Sequence, residues 1–156
     1  MNCITKMILS GLVLIVPLIL GCDKRPMPEG LPKLYPLTLD LFQNGQPLAE
    51  ATVSLYPMDS TSKWSSGGFS DDSGRAVIVT HGGFDGAPVG KYKVAVVKSI
   101  VEGAPESMDD QGNSQSFSLI ESQYTNRNTT PLEIEVQSGK NSLRLDVGKV
   151  VKIKRN

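Results

Sequence analysis

Five residues of this sequence have side chains that could do chemistry if their surroundings fit. They are two cysteines, Cys3 and Cys22, the sole histidine His81, and the neighbouring carboxylates Asp71 and Asp72. A cysteine thiolate is a nucleophile, a histidine can act as general base beside a serine, and carboxylate oxygens bind calcium. The sequence around each residue decides which of these reactions to expect.

Cys22 ends a segment that has the features of a cleaved leader. The amino terminus and Lys6 are positively charged, and residues 7–20 carry no charge. This run is shorter than the roughly 20 residues of a membrane-spanning helix, and it ends in a small residue, as processing segments do. Pro17 also disfavours a permanent membrane helix. The alternative is an uncleaved N-terminal anchor in which Cys22 has no role.

The residues Ile19-Leu20-Gly21-Cys22 resemble a bacterial lipobox, although leucine is more usual than isoleucine at its first position. The resemblance implies that a diacylglycerol is joined to the Cys22 sulfur and that a signal peptidase then cuts between Gly21 and Cys22. Two or three acyl chains anchor a protein stably, whereas a single chain is marginal. We therefore expect residues 1–21 to be a signal peptide. Through Cys22 the protein would be held outside the cytoplasm, with membrane lipid as its first partner.

The mature chain would then keep no second thiol, because Cys3 leaves with the signal peptide. A disulfide, a zinc knuckle and a cysteine nucleophile are all excluded on this interpretation. The choice between inner and outer membrane stays open. Asp23 resembles an inner-membrane retention signal of some Gram-negative bacteria, but that rule does not transfer to all phyla.

The remaining candidates for chemistry fit structural roles. No nucleophile-elbow pattern surrounds a serine, and His81 precedes Gly82-Gly83 in a predicted loop. We expect an exposed loop histidine, no catalytic residue and no enzyme. Asp71-Asp72-Ser73-Gly74 lacks the D-x-[DN]-x-[DN]-G spacing of calcium loops, so it predicts a turn and neither a metal site nor a cofactor.

Trp64, the sole tryptophan, lies in a polar loop and has two interpretations. An exposed indole can stack on a sugar or anchor a partner, and it can equally cap the end of a sandwich. Trp64, Asp71 and Asp72 are therefore the candidate ligand-binding residues.

Composition predicts one β-rich domain. Sixteen basic and sixteen acidic residues balance, so nothing indicates a nucleic-acid partner. Fifteen glycines and ten prolines are typical of many turns. Residues 22–34 contain Pro26, Pro28 and Pro32 and predict an extended tether that could span on the order of 30 Å. Residues 35–156 form the domain.

Strands are predicted where apolar residues alternate with polar ones, at 35–42, 51–56, 68–70, 75–80, 92–98, 132–136 and 143–147. Asn44-Gly45 supplies a tight hairpin turn. The last two strands are expected to form a hairpin across which Glu133 and Glu135 pair with Arg144. About seven such strands indicate a two-sheet all-β sandwich.

Two segments fall outside this pattern. Residues 99–118 are polar and too long for a hairpin, which predicts a mobile excursion. The basic tail 149–155 predicts an edge strand. Its lysines either protect that edge against aggregation or approach anionic lipid.

Three motifs, in this order, resemble a carboxypeptidase regulatory-like (transthyretin/prealbumin-like) domain. They are GQPLAEATV at 45–53, DSGR at 72–75 and GKYKV at 90–94. Residues 119–139 are similar to the closing part of short planctomycete lipoproteins that carry this domain. The likeness covers residues 38–147.

This resemblance implies a single prealbumin-like Greek-key β-sandwich that is usually non-catalytic. The related hydroxyisourate hydrolases need several histidines and a Tyr-Arg-Gly-Ser ending, whereas this chain ends Lys154-Arg155-Asn156. We therefore expect a non-catalytic binding or structural module of the cell envelope. Its partner would be an envelope protein or a polysaccharide. The alternative is a calcium-dependent glycan or small-ligand binder that uses Trp64, Asp71 and Asp72.

Overall fold

A computed structural model of the protein describes residues 26–59, 63–103 and 114–155, which are nearly all β. The described strands are β1 (Leu34–Tyr35), β2 (Leu37–Gln43), β3 (Gln46–Pro47), β4 (Thr52–Pro57), β5 (Ser66–Phe69), β6 (Arg75–Val77), β7 (Val79–Thr80), β8 (Phe84–Asp85), β9 (Ala87–Pro88), β10 (Gly90–Val97), β11 (Ser99–Glu102), β12 (Gln115–Ser118), β13 (Glu133–Val136), β14 (Asn141–Asp146) and β15 (Ile153–Lys154). A single turn of 3-10 helix spans Ser122–Thr125.

Two larger sheets form the sandwich, which confirms the predicted all-β fold. One has six strands in the order β13-β10-β4-β5-β7-β8. The other contains β14, β2 and β3, with β6 also paired to β2. A three-stranded sheet, β11-β12-β15, and the pair β1-β9 complete the described structure.

The core lies between the two larger sheets and follows the predicted alternation. Leu37, Leu39 and Leu41 of β2 are buried on one side. The other side is formed by buried residues of the six-stranded sheet: Val53, Leu55, Tyr92, Val94, Val96, Ile134 and Val136. Every second residue of β2 and β4 faces inward, whereas β10 buries Ala95 as well as its alternating inward residues.

The predicted hairpin at Asn44-Gly45 is confirmed. Both residues have positive φ, 50° and 77°, and Gln43 pairs with Gln46 across the turn. Positive φ at both central positions is the backbone that a two-residue type I′ hairpin requires.

The predicted hairpin of the last two strands is wrong. β13 pairs antiparallel with β10, whereas β14 pairs parallel with β2 in the opposite sheet. Glu133 therefore forms its ion pair with Lys93, at 3.4 Å, and the Arg144 guanidinium lies 3.7 Å from the centre of the Phe42 ring. Alternation had identified the buried face of each strand, but it carries no information about the neighbouring strand.

The excursion predicted at 99–118 begins and ends in paired strands, so its ends are not irregular. β11 pairs antiparallel with β12, and Ile100 lies opposite Phe117. The tail forms the predicted edge strand, because β15 pairs with β12. Lys152 lies 2.7 Å from the Glu102 carboxylate.

The chain enters the sandwich at one defined place. Leu31 donates to the Pro28 carbonyl at 3.2 Å, and β1 then pairs with β9. The final residues of the predicted tether 22–34 are thus folded against the domain, which leaves less of it to act as a spacer.

Candidate functional site

Trp64 fixes the end of the tether to the sandwich. It lies in the irregular segment that leads into β5 and is half-buried. Its indole Nε1 donates to the Gly30 carbonyl at 3.1 Å. This contact ties the loop before β5 to the segment that precedes β1.

His81 lies beside Trp64. It is exposed, and its ring meets the indole edge to face, with centroids 5.1 Å apart and planes at 82°. Its backbone N–H donates to the Ser65 carbonyl at 2.9 Å. These contacts hold the β7–β8 turn against the Trp64 loop.

An open cavity of about 320 Å³ lies between the tether and the sandwich. We call it the tether-end cavity. Trp64 and Tyr92 contribute aromatic surface, and Lys63, Lys91 and Asp59 contribute charge. Aromatic surface with a few convergent polar groups is the usual make-up of a binding site.

Tyr92 supports this cavity from the core side. Its ring is buried, with 3% of the residue exposed, and its hydroxyl donates to the Pro88 carbonyl at 2.8 Å. Burial, assisted by the nearby Asp59 carboxylate, raises the pKa of Tyr92 to about 12. The hydroxyl therefore remains a neutral donor at ordinary pH.

The Asp71 carboxylate is engaged by its own turn. Its Oδ1 accepts from the backbone N–H of Ser73 at 2.9 Å, from the Ser73 hydroxyl at 2.6 Å and from the backbone N–H of Arg75 at 2.9 Å. These donors, the Ser73 hydroxyl first, lower the pKa of Asp71. These hydrogen bonds form the turn that was predicted at Asp71-Asp72-Ser73-Gly74 in preference to a metal site. Asp72, the next residue, is exposed.

The structure does not bring Trp64 and the aspartates together. Trp64 precedes β5, whereas Asp71 and Asp72 follow it. The four residues of β5 alone span about 13 Å. Within the described ranges, no group of three or more His, Cys, Asp or Glu side chains is placed to hold a metal ion.

The predicted lipidation and cleavage residues, Cys22 and Gly21, lie outside the described residues. The lipid assignment therefore stays a prediction from sequence. Among the residues that are described, no helix is long and apolar enough to cross a membrane.

Comparison with known proteins adds little. Neither a family model nor a curated protein matches the sequence. A 9R-lipoxygenase from Cyanothece PCC8801 aligns with 79% of this chain and 18% of its own, at 17% identity and a TM-score of 0.37. A likeness this weak carries no argument about fold or function. The resemblance to carboxypeptidase regulatory-like domains stays a prediction.

Sequence reasoning found Trp64 but missed its partners. Gly30 is 34 residues away from it, and Lys91 and Tyr92 reach the cavity from β10. No local pattern signals contacts at this separation, because the pairing of whole strands creates them.

Proposed function

We propose that this protein is a lipid-anchored envelope protein whose β-sandwich binds a partner without catalysing a reaction. The observation that carries the proposal is the sequence Ile19-Leu20-Gly21-Cys22 at the end of an uncharged run behind a positive amino terminus. A thiol at this position is the acceptor of the lipid, and the acyl chains supply the membrane affinity.

The way the chain enters the sandwich supports an anchored arrangement. Trp64 holds Gly30, so only the chain from Cys22 to Gly30 separates the lipid from the domain. Fully extended, the eight residue-to-residue steps from Cys22 to Gly30 reach about 28 Å. The anchored domain would lie close to the membrane, with its tether-end cavity on the near side.

The roles already held by the reactive side chains support a non-catalytic function. His81 packs against Trp64, Asp71 bonds within its own turn, and the Tyr92 hydroxyl is bonded to a backbone carbonyl. What remains available at the surface is aromatic and charged area suited to binding.

The two cysteines of the chain provide a matched test. Cys22→Ser should accumulate as an unprocessed precursor without lipid, because a hydroxyl is not the acceptor for the diacylglycerol. Cys3→Ser, which changes the other cysteine within the leader, should mature normally. Metabolic labelling with an alkyne fatty acid, followed by membrane fractionation, measures both properties. Normal labelling and membrane recovery of Cys22→Ser would contradict the proposal.

A further inference from the structure

A second surface, which shares Lys63 and Trp64 with the tether-end cavity, lies on the outer face of the six-stranded sheet. Ser54 and Tyr56 point outward from β4, since they alternate with buried Val53 and Leu55. Three adjoining depressions of about 290, 300 and 290 Å³ cross this face. Neighbouring depressions share lining residues, so together they form one open channel, which we call the sheet groove.

Cations line the sheet groove, and acids do not. Lys63, Lys93 and Arg127 contribute to it, and none of the described residues that line it is aspartate or glutamate. Lys93 is paired with Glu133, which lies outside the groove lining, at 3.4 Å. In the described part of the chain, no ion pair is formed by Lys63 or Arg127. Because the whole sequence has equal numbers of acidic and basic residues, this excess of positive charge is local.

Two of the three groove cations lie over aromatic rings. The Arg127 guanidinium is 5.4 Å from the centre of the Tyr56 ring, and the Lys63 ammonium is 5.3 Å from that of Trp64. Each pair places a positive charge against an aromatic ring. A sugar ring packed beside the Tyr56–Arg127 pair would bring its carboxylate to the cation.

The floor of the groove favours recognition through side chains over addition of a peptide strand. β4 is paired on both sides, with β10 and β5, and β5 is paired with β4 and β7. A peptide that binds as an extra strand needs an unpaired edge, and β4 offers none over Thr52–Leu55, where β10 and β5 flank it. Ser54 and Ser65 line the groove instead.

We infer that the sheet groove binds an acidic polysaccharide, with a sugar ring packed beside Tyr56 and sugar carboxylates bound by Arg127 and Lys63. The inference rests on the proposed envelope function for its setting and specifies the partner's chemistry. Asp71 and Asp72 do not line the groove, so they take no part in this binding.

The binding test uses the full acylated protein in lipid nanodiscs and oligogalacturonate as the acidic probe, in buffer with EDTA. Calorimetry should detect binding that weakens as salt is raised, because salt screens exposed charges. An uncharged β-1,4-glucan oligomer of equal length should bind more weakly. Absence of oligogalacturonate binding, or equal affinity for poly-glutamate, would overturn the assignment to an acidic polysaccharide.

Two groove variants and one matched control locate the site. Arg127→Ala and Tyr56→Ala should each weaken binding by about tenfold or more, the usual effect of losing one charged or aromatic contact. Arg144→Ala removes an arginine stacked on Phe42 in the opposite sheet and should leave affinity unchanged. An equal loss of affinity in Arg144→Ala, or unchanged affinity in both groove variants, would contradict the assignment of the groove as the binding site.

The same experiment separates this inference from the lipid anchor. Full-length Cys22→Ser, purified in detergent, should bind oligogalacturonate as the acylated protein does, since the groove is remote in sequence from Cys22. If Cys22→Ser matures normally yet Arg127→Ala still loses binding, the anchor proposal fails and the groove stands. If Cys22→Ser blocks maturation but no groove variant changes binding, the groove fails and the anchor stands.

Discussion

The Trp64 loop and the Asp71 turn lie at opposite ends of β5 and use their polar groups differently. Trp64 donates to a backbone carbonyl 34 residues away, whereas the Asp71 carboxylate accepts from residues two and four positions along the chain. A bond between distant segments can leave a cavity between them, and one opens beside Trp64. A turn whose polar groups bond to one another closes without leaving such a cavity. The Trp64 end is therefore the better candidate for a ligand site.

The largest expected effect on stability comes from removing the Tyr92 ring, which lines the cavity at the Trp64 end. Tyr92→Ala should lower the free energy of unfolding by about 3–5 kcal/mol, because a buried aromatic side chain is deleted. Tyr56→Ala, which removes a partly exposed ring from the outer face of the same sheet, should cost much less. Urea denaturation measures both variants. An unchanged midpoint for Tyr92→Ala would mean that the ring is not packed between the sheets.

A smaller effect follows from the Tyr92 hydroxyl alone. Its pKa of about 12 in the folded protein lies above the value of about 10 for an unfolded chain. The neutral hydroxyl thus stabilises the fold fully below pH 10, and this contribution is lost as pH rises through 12. Tyr92→Phe should cost about 1 kcal/mol at neutral pH.

Melting curves between pH 8 and 12 test this assignment. Tyr92→Phe should lose less stability than the unmodified protein as pH rises, because it has no hydroxyl to ionise. Tyr56→Phe keeps the Tyr92 hydroxyl and should follow the unmodified protein. Parallel curves for Tyr92→Phe and the unmodified protein would contradict the assignment.

The smallest effect is expected at the other end of β5. Asp71 is exposed and its pKa is lowered, so its carboxylate stabilises the turn above the unfolded pKa of about 3.9, and this is lost as pH falls through the folded value. Asp71→Asn should therefore be slightly less stable at pH 7, and the difference should vanish in acid. Asp72→Asn is the matched control and should have the stability of the unmodified protein both at pH 7 and in acid. A rise in melting temperature with added calcium that Asp71→Asn abolishes would restore the metal interpretation.

Sequence patterns predicted where strands lie better than which strands are neighbours. Leu37, Leu39 and Leu41 are buried as their alternation required. The partner of Leu143 is Leu39 in a parallel pair, because the chain crosses between sheets after β13. Asn141 fixes this crossing with hydrogen bonds to Gln137 and to the Pro36 carbonyl. A short turn between two alternating segments resembles a hairpin in sequence, so this crossing could not be predicted.

The candidate binding surfaces were predictable only in part. Trp64 stood out as the sole tryptophan in a polar loop, and the Asp71 turn followed from its residue types. The sheet groove was not predictable, because Arg127 reaches Tyr56 from a segment about seventy residues further along the chain. Contacts of this kind depend on strand order, which alternation leaves undetermined.

The measurement closest to the central claim is intact mass spectrometry of the protein purified from its own membranes. The account predicts a polypeptide that begins at Cys22 and carries a thioether-linked diacylglycerol, with an N-terminal acyl chain where the organism adds one. A molecule that still contains residues 1–21, or that has a free thiol at Cys22, would contradict it.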